Sequence, residues 1–332
     1  MQPIHRWLVM LGTLLTAWPV WASTLQLDLP VRCEMGKACF VQNYVDHDPG
    51  SGYRDFACGY LTYNDHAGTD FRVVDELAMA KGVPVLAAAP GVVLGVRDGE
   101  PDVAVSVRGR AALGGKDAGN GVVIDHGDGW QTQYSHLRKG SVVVQKGQFV
   151  ARGDVLGLIG ESGNADFPHV DFSVRHQGKV VDPYQPKPDA SCNATMASEA
   201  LWSTSSRTAL AYIPSAILQA GFADHIPNRM EAQSGKMNQS VIRPDQPQLV
   251  FWVQLLGVRD GDQWQMQITA PDGKVSVTSS DKISGNKAVW VGGVGKRRGN
   301  SLWPIGRYIG TIKLVREGKP VLSRQAEVTV QN

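Results

Sequence analysis

The chain has almost no net charge. Its 33 lysines and arginines face 31 aspartates and glutamates, a formal balance of +2. Removing residues 1 to 22 takes away one base, Arg6, and no acid, leaving 32 bases against 31 acids. A balance so near zero gives no electrostatic reason to expect nucleic acid or an anionic membrane as a partner. Beyond residue 22 no apolar run is long enough to span a bilayer, which excludes a bundle of membrane helices. Cysteine is scarce, at 4 residues, and no closely spaced pair repeats, which argues against a metal site built from thiolates. What remains is ordinary globular material, 42% hydrophobic and 19% charged, and a length of 332 residues that suits two domains.

Residues 1 to 22 stand apart. His5 and Arg6 precede an apolar run from Trp7 to Trp21, and Val20-Trp21-Ala22 places small residues where a signal peptidase reads them. The run is short for a spanning helix, so a secretory signal cut after Ala22 is expected, leaving no membrane anchor. In an oxidising compartment Cys33, Cys39, Cys58 and Cys192 are expected to form two disulfides. Three pairings exist. The favoured one joins Cys33 to Cys39 across a short loop and Cys58 to Cys192 across the first domain.

Residues 23 to 58 read as a loop-rich segment containing the turn-forming run Asp46 to Gly52. From 59 to 188, short apolar runs alternate with glycine turns. Val83 to Val96 holds two strands about Pro90-Gly91, and Gly121 to His126 and Trp130 to His136 flank the hairpin signal Gly127-Asp128-Gly129. Val142 to Val144, Phe149 to Ala151 and Val155 to Ile159 follow, with Lys146-Gly147 and Arg152-Gly153 between them. Strands so short and turns so regular argue for an all-β, antiparallel domain. Gly99 to Asn120 is too long for a turn, and either borders a binding groove or is a mobile insertion. Residues 189 to 240 read as a bridge, with a helix over Thr208 to Ala220 interrupted at Pro214. Residues 241 to 332 read as a second β unit of about seven short strands, an immunoglobulin-like sandwich. It holds no His/Asp cluster and no nucleophile motif, so a structural or docking role is expected of it.

The chemistry gathers in the first domain. Phe167 to Val174 reads as a strand, so His169 and Asp171, two apart, share a face. His66 and Asp70 stand four apart just before the first long strand pair. Tyr134 and His136, at the end of the hairpin, are expected on one face of it. Imidazole nitrogens and carboxylate oxygens together suit a zinc ion held by three protein ligands.

These residues carry a family resemblance. From about 59 to 185 the chain resembles the LytM/lysostaphin-type zinc peptidases, which cut peptide bonds in peptidoglycan. The matching pieces, in order, are His66 to Asp70, Gly82 to Val93, Gly121 to Gly127, Tyr134 to Leu137, Gly157 to Gly160, Ser162-Gly163, Pro168 to Phe172 and Val181 to Pro183. The resemblance implies the duplicated hybrid motif, an antiparallel sheet under an open groove, followed here by the sandwich. It implies that His66 and Asp70 are metal ligands and that His136 and His169 are the catalytic histidines. It implies one zinc ion per chain, peptidoglycan peptides as partners, and a periplasmic or secreted location. The family's remaining ligand is the second histidine of a His-x-His pair, and here that position is Asp171.

Asp171 sets two readings side by side. As a substituted ligand it reaches the metal through a carboxylate oxygen. The shell then carries one more negative charge, makes zinc a weaker Lewis acid and is more hospitable to manganese. As a lost ligand it leaves a metal-free, catalytically impaired regulator or wall-binding protein that activates other cell-wall hydrolases. Val144 to Gly160 also resembles biotinyl and lipoyl carrier hairpins, but its turn lacks the lysine those cofactors need.

Overall fold

Alternation decides which way the central strand faces. Across His169–His176, Val170, Phe172 and Val174 are buried in the core, which sends His169, Asp171 and Ser173 to the opposite face. The computed structural model describes residues 25–187 and 195–332 and builds its first part around this strand. The strands there are β1 (Cys39–Asn43), β2 (Thr69–Val73), β3 (Pro84–Leu86), β4 (Gly91–Arg97), β5 (Asn120–Gly127), β6 (Trp130–Leu137), β7 (Phe149–Val150), β8 (Val155–Leu158), β9 (His169–His176) and β10 (Lys179–Val180). One eight-stranded sheet runs β1-β2-β9-β6-β5-β4-β7, with β10 beside β9, and β3 and β8 form a separate pair. Every pairing in it is antiparallel. Asp128 and Gly129 join β5 to β6 with φ of 51° and 80°, the positive values that an Asp-Gly hairpin turn requires.

The core lies under one face of this sheet. Phe71, Val122, Ile124, Tyr134 and Phe172 meet Val85 and Leu156 of the β3–β8 pair. The buried Tyr134 hydroxyl accepts the Ala88 N–H at 2.8 Å, so the ring brings no unsatisfied oxygen into the core. Trp202 packs against Phe71 and Phe172 from beyond the sheet. Full burial of each large apolar side chain stabilises the fold by about 1.5–3 kcal/mol.

Within the segment read as loop-rich, β1 is an edge strand paired to β2, and Cys33 and Cys39 are disulfide-bonded as expected. Cys58 is not free, but Cys192, its expected partner, lies outside the described residues, as does the expected signal at 1 to 22. Gly99 to Asn120 packs down. It contains α2 (Val105–Arg108), which follows α1 (Glu76–Lys81), and Glu100 holds Arg108 and Lys116 at 2.9 and 2.6 Å. The Val105 N–H donates to the Ala165 carbonyl, tying this stretch to the loop before β9.

The helix expected over Thr208 to Ala220 does not form. A short α3 (Thr204–Ala209), capped by Ser203, ends ahead of Pro214, and the chain then enters β11 (Ala216–Ala223). Proline supplies no N–H to a helix, and Ile217, Leu218 and Phe222 find partners in a sheet instead. After α4 (Arg229–Ser234) come β12 (Val241–Ile242), β13 (Gln248–Val258), β14 (Gln263–Thr269), β15 (Val275–Lys282), β16 (Lys287–Arg297), β17 (Gly306–Arg316) and β18 (Lys319–Val330). They make two sheets, β11-β13-β16 and β12-β18-β17-β14-β15, which face each other across Phe251, Val253 and Leu255 on one side and Met266, Ile268, Ile312 and Leu314 on the other. Phe40 of β1 packs with Ala216, Leu218 and Leu256, so the two units share a small apolar contact. No helix among the described residues is long and apolar enough to cross a membrane.

Because Phe172 is fully buried under the site-bearing strand, Phe172→Ala should lower unfolding free energy by about 3–5 kcal/mol in urea titrations. Val92→Ala, at a position 42% exposed on β4, should stay within about 0.5 kcal/mol of wild type.

Candidate metal centre

Strand register brings the acidic residues together. Asp70 of β2 lies directly opposite Asp171 of β9, and His66 enters from the loop just before β2. Ligating atoms of His66, Asp70 and Asp171 all lie within 4.8 Å of one another, the one such group among the described residues. His66 and Asp70 are buried, and Asp171 is half-buried.

Backbone carbonyls fix the tautomer of each imidazole. The Nδ1 atoms of His66, His136 and His169 contact the carbonyl oxygens of Tyr44, Ser162 and Phe167 at 2.8, 2.7 and 2.8 Å. A carbonyl only accepts, so each Nδ1 carries the proton and each neutral ring presents a bare Nε2. His66 Nε2 then stands 3.2 Å from Asp70 Oδ1, and both atoms are buried with no hydrogen-bond partner. Two facing acceptors at that distance need something positive between them. A proton supplies it, and so does a divalent cation. Asn43 donates to the other Asp70 oxygen at 2.7 Å, and Ser173 donates to Asp171 Oδ1 at 3.3 Å, which orients both carboxyls. The donor set therefore fits a metal ion.

The charges respond to one another. Burial alone lowers the His66 imidazole, but the Asp70 carboxylate, with Asp171 behind it, raises it to about 9. Burial works to raise the Asp70 carboxyl, yet His66, His169 and Asn43 hold it below the usual carboxylate range. Asp171 goes the other way, raised by burial and then by the Asp70 charge. Burial pushes His169 down to about 4, so it is neutral at pH 7 although its Nε2 lies 3.6 Å from Asp70 Oδ1.

His136 reaches the site by an irregularity. Tyr134 pairs with Val122 and Leu137 with Asn120, so Ser135 and His136 together oppose Gly121 alone. This bulge puts His136 at φ 63° and sends its N–H out of the ladder to the Ala118 carbonyl. Tyr134 and His136 therefore do not share a face. Tyr134 lies in the core, whereas the His136 ring lies 4.7 Å from that of His169. Tyr63, half exposed, covers His66 with ring centroids 4.3 Å apart.

All five expected residues thus meet in one place. The pattern of side chains did not single out Asn43, Gly68, Ser173 or the three carbonyls. A Cβ on Gly68 would lie 1.8 Å from Asp171 Oδ1, so only glycine leaves room for that carboxyl.

Residues 64–183, just over a third of the chain, match Peptidase family M23. Among curated proteins it is similar to the peptidoglycan DD-endopeptidase ShyA of Vibrio cholerae, 37% identical over 117 residues, which are 35% of this chain and 22% of the relative. It is similar also to the DD-carboxypeptidase/endopeptidase Mpg of Neisseria meningitidis, 33% identical over 37% of this chain and 23% of the relative. The match thus spans less than a quarter of either relative. A solved zinc-containing peptidase from Vibrio cholerae aligns over 44% of this chain and 39% of its own at 29% identity, with a TM-score of 0.28.

The raised His66 predicts a pH window. In the metal-free protein the folded state holds a proton that the unfolded state begins to release near pH 6.5. The stability this contributes is full below that pH and is lost as pH rises towards about 9. Denaturant titrations of chelator-treated protein should show that decline, and Asp70→Asn should flatten it.

Proposed function

We propose that the protein is an exported zinc metalloendopeptidase that hydrolyses peptide crosslinks of peptidoglycan. The observation that carries this is the buried, unpartnered pair His66 Nε2 and Asp70 Oδ1, converging with Asp171 beside two further imidazoles. The relative named as a peptidoglycan DD-endopeptidase, ShyA, supports the substrate class, and an exported location follows from it. His66, Asp70 and Asp171 are the ligands in this reading. Bound there, zinc supplies a Lewis acid for the scissile carbonyl and lowers the pKa of attacking water.

The chain's own residues handle the proton. His136 and His169 each present a bare Nε2, because Nδ1 is committed to Ser162 or Phe167. One takes the proton of the attacking water at Nε2 and so becomes a donor to the tetrahedral oxyanion. Asp70, 3.6 Å from His169 Nε2, stabilises the imidazolium when His169 is the one protonated. The carbonyls keep both rings from rotating between the two tasks. Tyr63 packs its ring against that of His66 and helps to hold it in place.

A second reading, the non-catalytic regulator of other cell-wall hydrolases, draws on Asp171. Burial and the Asp70 charge raise its pKa, which favours the protonated form more than in an ordinary carboxyl and weakens its hold on a metal.

Metal analysis and a crosslinked-peptidoglycan assay separate the readings. Wild type should carry about one zinc per chain and release peptides, and His136→Ala should lower kcat/KM by about 100-fold or more with metal retained. Metal-free, inactive wild type with activity appearing in Asp171→His would overturn the enzyme reading. Gly68→Ala should weaken zinc by about tenfold in competition with a chromogenic chelator, through displacement of Asp171. Gly95→Ala, where an added Cβ meets nothing within 4 Å, should leave metal affinity unchanged.

A further inference from the structure

The loop that orients both imidazoles has a second face. On one side Ser162 and Phe167 offer carbonyls to His136 and His169. On the other, Glu161 and Asp166 line a cleft of about 570 Å³, bounded by Glu76 of α1 and by α4 of the second unit. Glu161 is 4% exposed, and its carboxyl faces α4. Gln233 Nε2 gives its short bond, 2.7 Å, to the Asp166 carbonyl and stands 3.4 Å from Glu161 Oε1. Among the described residues nothing hydrogen-bonds the second Glu161 oxygen. Burial, then Glu76, Asp166 and Asp102, push this carboxyl up to about 8, and Arg72 opposes them too weakly to cancel. A buried carboxyl left this short of partners is stabilised by an incoming cation.

The walls say which kind of cation. No second set of three metal donors converges among the described residues, so chelation of a metal ion is not favoured here. Met230, Met237 and Ala104 line the cleft alongside Glu76, Asp166 and Glu231, and the acids outnumber Arg229, the base on the lining. Apolar walls leading to a buried carboxyl suit a long aliphatic stem with a terminal ammonium. We propose that this cleft binds the alkylammonium side chain of a basic residue in the peptide presented to the metal centre. The proposal rests on the peptidase reading above. It gives α4, and through it the second unit, a part in substrate selection. Because cleft wall and orienting carbonyls belong to one loop, the seated side chain also steadies the two imidazoles.

Nα-acetyl-lysine methylamide and its norleucine counterpart, the same chain without the ammonium, are titrated calorimetrically into the metal-free protein. The lysine probe should bind saturably and at least about tenfold more tightly than norleucine. Glu161→Gln should erase the difference. So should Met230→Lys, which places a tethered ammonium from an exposed position and leaves the buried carboxyl in place. On crosslinked peptides, kcat/KM should favour lysine over norleucine by about tenfold in wild type and equally in neither variant. Equal affinity for the two probes, or no binding of either, overturns the proposal. Discrimination between the probes by a protein that cleaves no peptide supports the cleft and counts against the peptidase reading alone.

Discussion

A carboxylate sealed from water has to be answered by its neighbours, and Asp70 is only 2% exposed. Removing such a charge from water costs several kcal/mol, so whatever surrounds it must give that back in hydrogen bonds and opposite charge. Asn43 answers one oxygen. The other faces His66 and His169, whose Nδ1 protons are spent on carbonyls. That leaves a position that only a proton or a metal ion completes. The pairing of β2 with β9 then places a second carboxyl beside the first, which makes a cation there more necessary still.

Much of this was legible because it obeys periodicity. The alternation in Phe167 to Val174 gave the face shared by His169 and Asp171, and the Asp-Gly turn gave the β5–β6 hairpin. Identity and spacing of His66, Asp70 and Asp171 pointed to one site, and the structure gathers them. What stayed hidden lies where side-chain identity carries no signal. Carbonyls of Tyr44, Ser162 and Phe167 look the same in every residue, yet they fix three tautomers. The face of His136 was misjudged because a bulge adds a residue without changing composition. The expected helix over Thr208 to Ala220 overlaps the start of the strand Ala216–Ala223, where the apolar residues fit either period until Pro214 and the partner β13 decide.

Two of the contacts between the units differ in character. Phe40 with Ala216, Leu218 and Leu256 is an apolar seam with no chemistry of its own. Gln233 on the Asp166 carbonyl is polar and lies on the loop that carries the orienting carbonyls. The first is a purely apolar contact, while the second lets a side chain of one unit bear on the histidine-bearing face of the other.

The bulge at Ser135 and His136 has a consequence for how this chain can vary. In a regular strand, parity alone assigns each residue to core or groove, and here parity changes once, between Tyr134 and His136. Loss of a single residue at that point would restore the regular count and turn the imidazole into the core. Extra residues at the Asp128-Gly129 tip would leave the phase of the site untouched. Descendants of this sequence are therefore free to lengthen the hairpin outward, but insertions and deletions within those few positions of β6 are closed to them.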